Sequence, residues 1–301
     1  MIDATTKEEV LVEALPYIQT YEGKTFVIKY GGAAMTDGQL KQTFAKDVTI
    51  LRKIGINIVI VHGGGHETTD VAAKLGLESR FVHGHRYTDP QMMNVILMVL
   101  AGKLNKEITN LITVNGGNAV GLCGVDNNLL RARKLTNGSA DLGLVGEVSS
   151  VNTAFINLLL KEGIMPVISP IGVGAEGELY NINADLAAGS IASALKSEKL
   201  VYLSDIEGVL VNQKLISTLT QAEAKQYIRD GAIFGGMIPK VQSAFDTLRS
   251  GVNKVHIVDG RVKHSLLLEI FTDEGVGTQM VHEESNRNTI PVNENPTKAV
   301  P

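Results

Sequence analysis

Two glycine-rich turns and a lysine are the first candidates for chemistry in this sequence. Lys29 precedes Gly31 and Gly32 at the end of one Val/Ile-rich run, and His62 precedes Gly63–Gly65 at the end of the next. Consecutive glycines let a backbone turn tightly and aim bare N–H groups at an anion, and the dipole of a following helix adds to the attraction. This arrangement predicts a phosphate-binding site. The alternative is a pair of ordinary strand-to-helix turns, with Lys29 at a solvated strand end.

A second set of polar residues lies later in the chain. Asn181, Asn183 and Asp185 alternate along an extended entry to an apolar helix, which places their side chains on one side. There they could hold the amides or carboxylates of a substrate and orient a lysine. Simple helix capping by Asn183 or Asp185 is the plainer interpretation.

Two basic residues complete the set. Lys240 follows the flexible pair Gly235–Gly236 and stands at the start of a predicted helix, where it is either a functional cation or a surface lysine. Arg86 follows a Gly-His pair, and its planar guanidinium could fork onto a carboxylate.

Several catalytic signatures do not occur in the sequence. It contains no Gly-x-x-x-x-Gly-Lys-Ser/Thr loop, no Gly-x-Gly-x-x-Gly after the first strand and no His-Glu-x-x-His, and its histidines lack zinc spacing. No metal site is therefore predicted. The single cysteine, Cys123, lies among apolar residues, which is typical of an inert buried thiol, and it excludes an internal disulfide scaffold.

The elements that must position these residues are short apolar strands alternating with helices. Such a pattern predicts an α/β fold with a largely parallel sheet covered on both faces. In an open sheet of this kind, ligands bind beyond the carboxyl ends of the strands, where both glycine turns lie. The predicted strands are residues 25–29, 56–61, 165–169, 199–203 and 254–258.

Two other segments have patterns of their own. Residues 129–148 predict two strands around a turn at 136–138, which is a hairpin signal. Residues 6–21 predict an N-terminal helix, with Thr6 and Glu9 forming a capping box and Pro16 bending it. A helix this short needs a docking partner for its apolar stripe. That stripe consists of Val10, Leu11, Ala14, Leu15 and Ile18.

Composition narrows the class of protein. The 301 residues are 44% hydrophobic and 20% charged, which is a normal globular balance. The 28 basic and 32 acidic side chains give a net charge of −4, which argues against nucleic acid or an anionic membrane as the main partner. No apolar run reaches the roughly 18–20 residues of a membrane span. Because the first residues also lack the layout of a secretion signal, we expect a cytoplasmic protein.

Taken together, the motifs resemble the amino acid kinase superfamily, and within it most closely the family of N-acetyl-L-glutamate kinases. The resemblance runs from about Lys24 to Val281. Each motif is weak alone, but their order and spacing along the chain are specific. They are Lys29-x-Gly31-Gly32, Val61-His62-Gly63-Gly64-Gly65, Arg86-x-Thr88-Asp89, Asn181-x-Asn183-Ala184-Asp185, Leu203-Ser204-Asp205 with Gly208-Val209, and Gly236-Met237-x-x-Lys240.

The resemblance implies an open, mainly parallel sheet between helices, in two lobes, with an extra N-terminal helix. Residues 1–23 would be an oligomerisation helix and residues 24–281 the kinase domain. Within that domain, the substrate-binding lobe would extend to about residue 175 and the nucleotide-binding lobe would begin at about residue 176. Residues 282–301 are polar and rich in proline, and we expect this tail to be disordered.

The resemblance further implies phosphorylation of the side-chain carboxylate of N-acetyl-L-glutamate by ATP with Mg²⁺, in arginine biosynthesis. A carboxylate with a pKa near 4.3 is already ionised at neutral pH, so no general base is needed. Lys29 and Lys240 would stabilise the transition state and Asp185 would orient both. The residues expected to hold the substrate are Gly64, Gly65, Arg86, Asn181 and Asn183. The expected amide donors to the phosphoryl group are Gly31, Gly32 and Gly63, and the nucleotide would lie against Ser204, Asp205 and Met237.

The N-terminal helix resembles that of the arginine-sensitive subgroup, in which such helices join three dimers into a ring. The resemblance therefore implies a hexamer inhibited by L-arginine. Residues 264–278 resemble the arginine-binding segment, with Glu269 facing the guanidinium and the turn from Gly275 to Gly277 near the α-groups. The alternative is a helix that merely caps the sheet, with Glu269 solvated.

Three other functions remain open from the sequence. A sibling kinase acting on carbamate, aspartate, glutamate or UMP is disfavoured by Arg86 and by the lack of an appended regulatory or RNA-binding domain. A non-catalytic nucleotide sensor is disfavoured by the presence of both lysines and Asp185. A dinucleotide-dependent oxidoreductase is disfavoured because no acidic residue stands at the ribose-binding position.

Overall fold

The computed structural model describes residues 4–136, 141–272 and 275–283, with side chains described from residue 12 onward. The turn residues of the predicted hairpin from 137 and the tail from 284 lie outside the described residues. So do the side chains of the predicted capping box, Thr6 and Glu9, and those of Val10 and Leu11.

The described chain alternates strands and helices, as the apolar runs predict. The helices are α1 (Ala4–Tyr21), α2 (Gly38–Lys53), α3 (Gly65–Lys74), α4 (Pro90–Ile96), α5 (Asn105–Val114), α6 (Thr153–Lys161), α7 (Ala184–Leu195), α8 (Gln221–Arg229), α9 (Met237–Arg249) and α10 (Ser265–Phe271). A π-helical segment, Leu97–Leu104, joins α4 to α5, and 3₁₀ turns span Gly32–Met35 and Asp126–Asn128. Within the described ranges, no helix is long and apolar enough to cross a membrane.

The strands form one large sheet and a small barrel, with two short ribbons beside them. They are β1 (Thr25–Tyr30), β2 (Asn57–His62), β3 (Phe81–Val82), β4 (His85–Arg86), β5 (Ala119–Cys123), β6 (Leu130–Lys134), β7 (Val145–Val151), β8 (Met165–Ser169), β9 (Ile171–Val173), β10 (Leu179–Ile182), β11 (Lys199–Ser204), β12 (Leu210–Val211), β13 (Lys214–Leu215), β14 (Thr218–Leu219), β15 (Lys254–Asp259) and β16 (Thr278–Met280).

The eight-stranded sheet has the order β14-β16-β15-β11-β1-β2-β8-β5. All strands from β15 to β5 in this order run parallel, and only the β15–β16 pair is antiparallel. The five strands predicted from apolar runs are the five consecutive strands from β15 to β8. The predicted mainly parallel α/β fold is thus confirmed.

Both faces of this sheet are buried, which explains why its strands are apolar at consecutive positions. Along β1, Phe26 and Ile28 belong to the core cluster on one face, whereas Val27 belongs to the cluster on the other. On β2, Ile58 and Val59 divide between the two clusters in the same way. Two apolar cores therefore hold the strand ends in fixed register.

A four-stranded closed barrel of β10, β7, β6 and β9 stands beside the sheet. Its β6 and β7 pair antiparallel, which confirms the predicted hairpin strands. The lobe boundary expected near residue 175 falls between β9 and β10, which pair antiparallel with each other. β10 pairs with β7 and β9, and the chain reaches β11 only through α7, so the division into two lobes stays a prediction.

The N-terminal helix α1 runs past Pro16 without ending. Tyr17 and Tyr21 are buried, and the Tyr21 ring packs edge-on against Phe26. Leu15, expected in the docking stripe, is 52% exposed, so its side chain docks on nothing within this chain, and its docking on a second copy stays a prediction. The aromatic rings occupy the face of α1 that meets the rest of the chain, which leaves Leu15 on the opposite side.

Candidate active site at the strand ends

Two lysines and one aspartate from distant parts of the chain meet at the carboxyl end of the sheet. Lys29 lies near the end of β1, Asp185 in the first turn of α7 and Lys240 in the first turn of α9. Lys29 Nζ lies 3.0 Å from Asp185 Oδ1, and Lys240 Nζ lies 2.9 Å from Asp185 Oδ2. Each carboxylate oxygen thus accepts from a different ammonium group, and the structure brings the three predicted residues together.

The charge of this cluster favours an anionic ligand. Burial alone would raise the pKa of Asp185, but Lys29 and Lys240 outweigh that effect and hold the pKa below its ordinary value. Asp185 is therefore ionised at neutral pH, and one negative charge faces two positive ones. Because 13% of the Lys29 side chain and 17% of the Lys240 side chain stay exposed, a ligand can reach the excess positive charge.

The turn after β1 is tied to the neighbouring strand β11. A Cβ on Gly31 would collide with the Lys29 ammonium group, so a side chain there would push that group aside. Gly32 has a φ of +67°, and a Cβ there would collide with the Asp205 carboxylate. Asp205 also accepts a hydrogen bond from the Ala33 amide. Asp205, expected at the nucleotide, thus holds the 3₁₀ turn beside Lys29.

Ser204 ends β11 just before Asp205. Its backbone oxygen accepts from the Gly260 amide at 2.8 Å, and its Oγ is buried with no hydrogen-bond partner within the described residues. Met237, the third residue expected at the nucleotide, begins α9 and packs partly buried against the core cluster around α7. The structure therefore places Met237 on the core side of its loop.

The turn after β2 differs from its expected arrangement at one residue. The Gly63 amide donates to Tyr30 O at 2.8 Å, which extends the pairing of β1 and β2. The expectation that this amide donates to a phosphoryl group therefore does not hold in this structure. Gly64 has a φ of +153°, a region open to glycine, and Gly65 begins α3.

Arg86 is held from several sides, and no carboxylate among the described residues forms an ion pair with it. It is 9% exposed, and its guanidinium donates to Ser79 Oγ at 2.5 Å, Gly65 O at 2.7 Å and Thr69 Oγ1 at 2.8 Å. Burial lowers the pKa of Arg86 from a very high ordinary value, so the group remains charged. Its three acceptors are neutral oxygens, so a ligand carboxylate beside Arg86 would be favoured.

A cavity of about 210 Å³ lies between Arg86, the turn after β2 and the entry to α7. Its polar lining contains all five residues expected to hold the substrate, and its apolar wall comes from the end of α4 and the π-helical segment that follows it. The polar set is Gly64, Gly65, Arg86, Asn181 and Asn183, and the wall contains Ile96 and Leu100.

The two asparagines of this cavity have different roles in the fold. Asn181 donates to Thr88 Oγ1 at 3.1 Å. Asn183 is the N-cap of α7, where its Oδ1 accepts from the Asp185 and Leu186 amides at 2.8 Å and 3.2 Å. The capping interpretation thus holds for the Asn183 oxygen, and the cap sets the position of Asp185.

Three small hydroxyl residues of this site had no role predicted from the sequence, although Thr88 belongs to the motif Arg86-x-Thr88-Asp89. Ser79 and Thr69 anchor the Arg86 guanidinium, and buried Thr88 anchors Asn181. Thr69 follows the glycine turn by one helical turn, which is a usable signal. Ser79 carries no signal in the sequence, since only the folding of the β3–β4 ribbon brings it to Arg86.

A second polar cluster lies around α10. Glu269, expected to be either an arginine ligand or solvated, is 7% exposed. Its Oε1 lies 2.6 Å from His256 Nδ1, and its Oε2 accepts from the Val276 and Gly277 amides at 2.8 Å and 2.9 Å. A Cβ on Gly275, whose φ is +62°, would come within 2.8 Å of Glu269 Oε2. The solvated alternative for Glu269 is therefore wrong.

The same cluster contains two residues that sequence reasoning missed. Lys199 is buried, with Nζ 4.7 Å from the centroid of the Tyr21 ring. Burial, with some help from Lys254, lowers the pKa of Lys199 to about 7 although Glu269 opposes the shift. His256 Nε2 is buried and has no hydrogen-bond partner in the described part of the chain. The signal in the sequence is that Lys199 and His256 are polar residues within strands that are otherwise predicted to be apolar.

Comparison with known proteins agrees with this geometry. Residues 24–259 match the model of the amino acid kinase family, and this range contains the parallel strands from β15 to β5 of the large sheet together with Lys29, Asp185 and Lys240. The chain therefore belongs to the amino acid kinase family.

Its curated relatives within the family are acetylglutamate kinases. The acetylglutamate kinase of Chlorobaculum tepidum is 59% identical over 91% of this chain and 96% of its own length. That of Chlorobium phaeobacteroides is 57% identical over 93% of this chain and 92% of its own length.

A solved structure with a similar fold is N-acetylglutamate synthase from Neisseria gonorrhoeae. Its complex with coenzyme A and N-acetyl-glutamate matches with a TM-score of 0.82 and 28% identity, over 91% of this chain and 63% of the synthase. Its complex with coenzyme A and L-arginine matches with a TM-score of 0.79 and 27% identity, over 91% of this chain and 65% of the synthase.

Proposed function

We propose that this protein is an acetylglutamate kinase. It transfers the terminal phosphoryl group of ATP to the side-chain carboxylate of N-acetyl-L-glutamate and forms N-acetyl-L-glutamyl 5-phosphate, a step of arginine biosynthesis. The observation that carries the proposal is Asp185 held between Lys29 and Lys240, beside a cavity with an arginine that has no carboxylate partner among the described residues. The near full-length identity to acetylglutamate kinases supports the same substrate.

The lysines act on the group in transfer. Charge spreads over the oxygens of the transferring phosphoryl group, so fixed cations aimed at those oxygens lower the barrier. Lys29 approaches from β1 and Lys240 from α9, and Asp185 holds both at defined positions. Without a carboxylate between them, two ammonium groups this close would repel each other.

The acceptor carboxylate needs no proton removed. Its ordinary pKa near 4.3 makes it a nucleophile at neutral pH, which fits a site built from cations and backbone amides. The buried charge of Arg86 would take the α-carboxylate, and Asn181 would take the acetamido group. Catalysis then consists of holding two anions in line.

The nucleotide would lie over the end of β11, beside Ser204 and Asp205. Magnesium, when bound, neutralises charge on the phosphates. Among the described residues, no group of three or more His, Cys, Asp or Glu side chains could hold a metal ion. This fits a magnesium ion held mainly by the phosphates themselves, and no residue of this chain is assigned to it.

An acceptor screen tests the proposal. Protein and ATP are mixed with N-acetylglutamate, glutamate, aspartate, carbamate or UMP, and hydroxylamine traps any acyl phosphate as a hydroxamate. We expect hydroxamate and ATP consumption with N-acetylglutamate, and neither with the Lys240→Ala variant at matched concentration. Preference for another acceptor would identify a sibling kinase. ATP binding without any turnover would identify a nucleotide sensor.

The cluster around α10 supports inhibition by L-arginine as a further part of the proposal. Glu269 offers a carboxylate to a guanidinium, and the unpartnered His256 Nε2 offers a buried polar atom. Tyr21 links this cluster to α1, and α1 also contacts α10. The likeness to a synthase complexed with L-arginine points to the same ligand.

A hexamer built as a trimer of dimers completes the proposal. Val12 and Leu15 are 65% and 52% exposed on the outer face of α1. Apolar side chains on the open face of a helix favour pairing with a second copy of that helix. Arginine would then inhibit by binding one arrangement of the ring better than another, since a ligand shifts an equilibrium only through its differential affinity.

A further inference from the structure

The carbonyl groups of the turn after β2 are each held by a different donor. Gly63 O accepts from His62 Nδ1 at 2.8 Å, Gly64 O from the Thr68 amide at 2.9 Å, and Gly65 O from Arg86 at 2.7 Å. A trans peptide is planar, with its C=O and N–H on opposite sides. Holding the Gly63 carbonyl therefore also decides where the Gly64 amide points.

The His62 ring has one defined protonation pattern. His62 is fully buried at the end of β2, and burial lowers its pKa to about 4, so the ring is neutral at physiological pH. A carbonyl oxygen only accepts, so the proton must be on Nδ1, and Nε2 is an acceptor. The ring thus donates towards the glycine turn and accepts from the interior.

The interior side of the ring is anchored by two buried residues. Asn105 Nδ2 lies 3.3 Å from His62 Nε2, and Ser169 Oγ lies 3.1 Å from it. The Ser169 hydroxyl also reaches Leu100 O at 3.0 Å, and Asn105 Nδ2 also donates to Val167 O at 2.8 Å, so both groups join the ring to the buried backbone around it. Turning the ring would leave buried polar groups unpaired, which is costly.

The π-helical segment adjoins the same turn. Leu100 and Leu104 pack so closely on Gly64 that a Cβ there would collide with both side chains. Leu100 supplies the carbonyl that receives Ser169 and also lines the 210 Å³ cavity. Single π turns within α-helices are frequent at functional sites, because they re-aim the residues they carry. The ring anchors and the cavity wall are therefore one packed unit.

We infer that His62 is a positioning residue of the substrate site: its Nδ1–H holds the Gly63–Gly64 peptide so that the Gly64 amide faces the cavity. Asn105 and Ser169 hold the ring in that orientation from the other side. His62 itself touches no substrate and transfers no proton. The inference rests on the proposed function in one respect, namely that the cavity binds the acceptor substrate.

Two substitutions of His62 by an amide side chain distinguish the contribution of Nδ1 from that of Nε2. His62→Asn places an amide near the position of Nδ1 and can still donate to Gly63 O. His62→Gln places it near Nε2 and leaves Gly63 O unpaired. We expect His62→Gln to raise the KM for N-acetylglutamate about tenfold, as for one lost buried hydrogen bond, with the KM for ATP unchanged. His62→Asn should stay within about threefold of the wild type by the same principle.

A spectroscopic readout makes the test independent of catalysis, provided that the variants used for assignment keep the other histidine signals of the wild type. In wild-type protein labelled with ¹⁵N-histidine, we expect two neutral rings that are protonated on Nδ1 and do not titrate between pH 5.5 and 8, His62 and the buried His256, whose Nδ1 faces Glu269 and whose pKa burial also lowers to about 4. The substitutions assign one of these signals to His62 by its loss. Ser169→Ala, which removes only an indirect anchor, should raise the KM for N-acetylglutamate less than His62→Gln does.

Three results would overturn the inference. They are a His62 ring protonated on Nε2, equal KM increases for His62→Gln and His62→Asn, or a parallel increase in the KM for ATP. Failure of the proposed function would look different, because wild-type protein would then form no hydroxamate from N-acetylglutamate whatever tautomer His62 has.

Discussion

His264 Nδ1 lies 2.7 Å from Asp47 Oδ1 and joins the start of α10 to the middle of α2. The two residues are far apart in the sequence, and Asp47 is 2% exposed. His264 has a φ of +58° at the N-cap of α10, so the ion pair also holds an unusual backbone conformation. The helix that carries Glu269 is thus joined to α2 through one carboxylate.

This relationship predicts a pH-dependent stability. Burial raises the pKa of Asp47 to about 6 from an ordinary value of 3.8, although His264 opposes the shift. The fold therefore favours the protonated form of Asp47. The protein is most stable, as far as this group is concerned, below the ordinary pKa of the carboxyl, and it loses that stability as the pH rises towards the folded-state pKa. Urea unfolding between pH 4 and 6 should show wild type losing on the order of 1–3 kcal/mol relative to Asp47→Asn. A constant difference across this range would contradict the prediction.

Replacing Lys29 or Lys240 by alanine should lower kcat about 10²–10³-fold, because one fixed donor to the transition state is lost. The KM for N-acetylglutamate should change little, since these charges matter most at the transferring group. Steady-state kinetics with hydroxamate detection measures both constants. The exposed Lys225 on α8 offers a control, and Lys225→Ala should behave as wild type. Near-normal turnover in either variant would remove that lysine from the mechanism.

Replacing Arg86 by lysine should raise the KM for N-acetylglutamate and leave the KM for ATP unchanged. Lysine keeps the charge but cannot donate from a planar fork to Ser79 and Gly65 together. Arg133→Lys is the matched control, since Arg133 pairs with Glu147 on an exposed face of the barrel. An unchanged KM for N-acetylglutamate would show that Arg86 does not contact the substrate.

Replacing Gly64 by alanine should destabilise the fold by about 1–3 kcal/mol, because of its positive φ and the overpacking against Leu100 and Leu104. The KM for N-acetylglutamate should rise in parallel, since the turn must shift. Gly38, where a Cβ would meet nothing within 4 Å, offers a matched Gly→Ala control. Thermal unfolding and kinetics check both effects, and a Gly64→Ala variant as stable as the control would contradict the packing described.

Placing acidic residues on the outer face of α1 should abolish the hexamer without removing the buried tyrosines. We expect wild type to sediment as a hexamer and Val12→Glu with Leu15→Glu as a dimer that still phosphorylates N-acetylglutamate. Removal of residues 1–21 should have the same effect and should also eliminate cooperative inhibition by arginine. The exposed Gln19 lies on the same helix, and Gln19→Glu should leave the hexamer intact. A wild-type dimer, or activity indifferent to millimolar arginine, would contradict this prediction.

The sequence by itself determined the central strands and the turns that follow them. Residues 26–28 and 58–61 are apolar at consecutive positions because both faces of each strand are buried, and this pattern is visible without any partner. The turns at Gly32 and Gly64 can also be predicted from the sequence. Both residues have a positive φ, a backbone conformation that glycine adopts and other residues disfavour.

Only the tertiary structure decided which groups meet. The residues next to Gly63 in the sequence do not predict that its amide donates to Tyr30 O. Neighbouring residues also do not predict that Leu15 is exposed and Glu269 is buried. His62 and Asp185 take their roles from partners on other elements. The physical reason is that apolar periodicity and backbone conformation are properties of neighbouring residues, whereas a hydrogen bond or an ion pair depends on where distant segments place a second atom within about 3 Å.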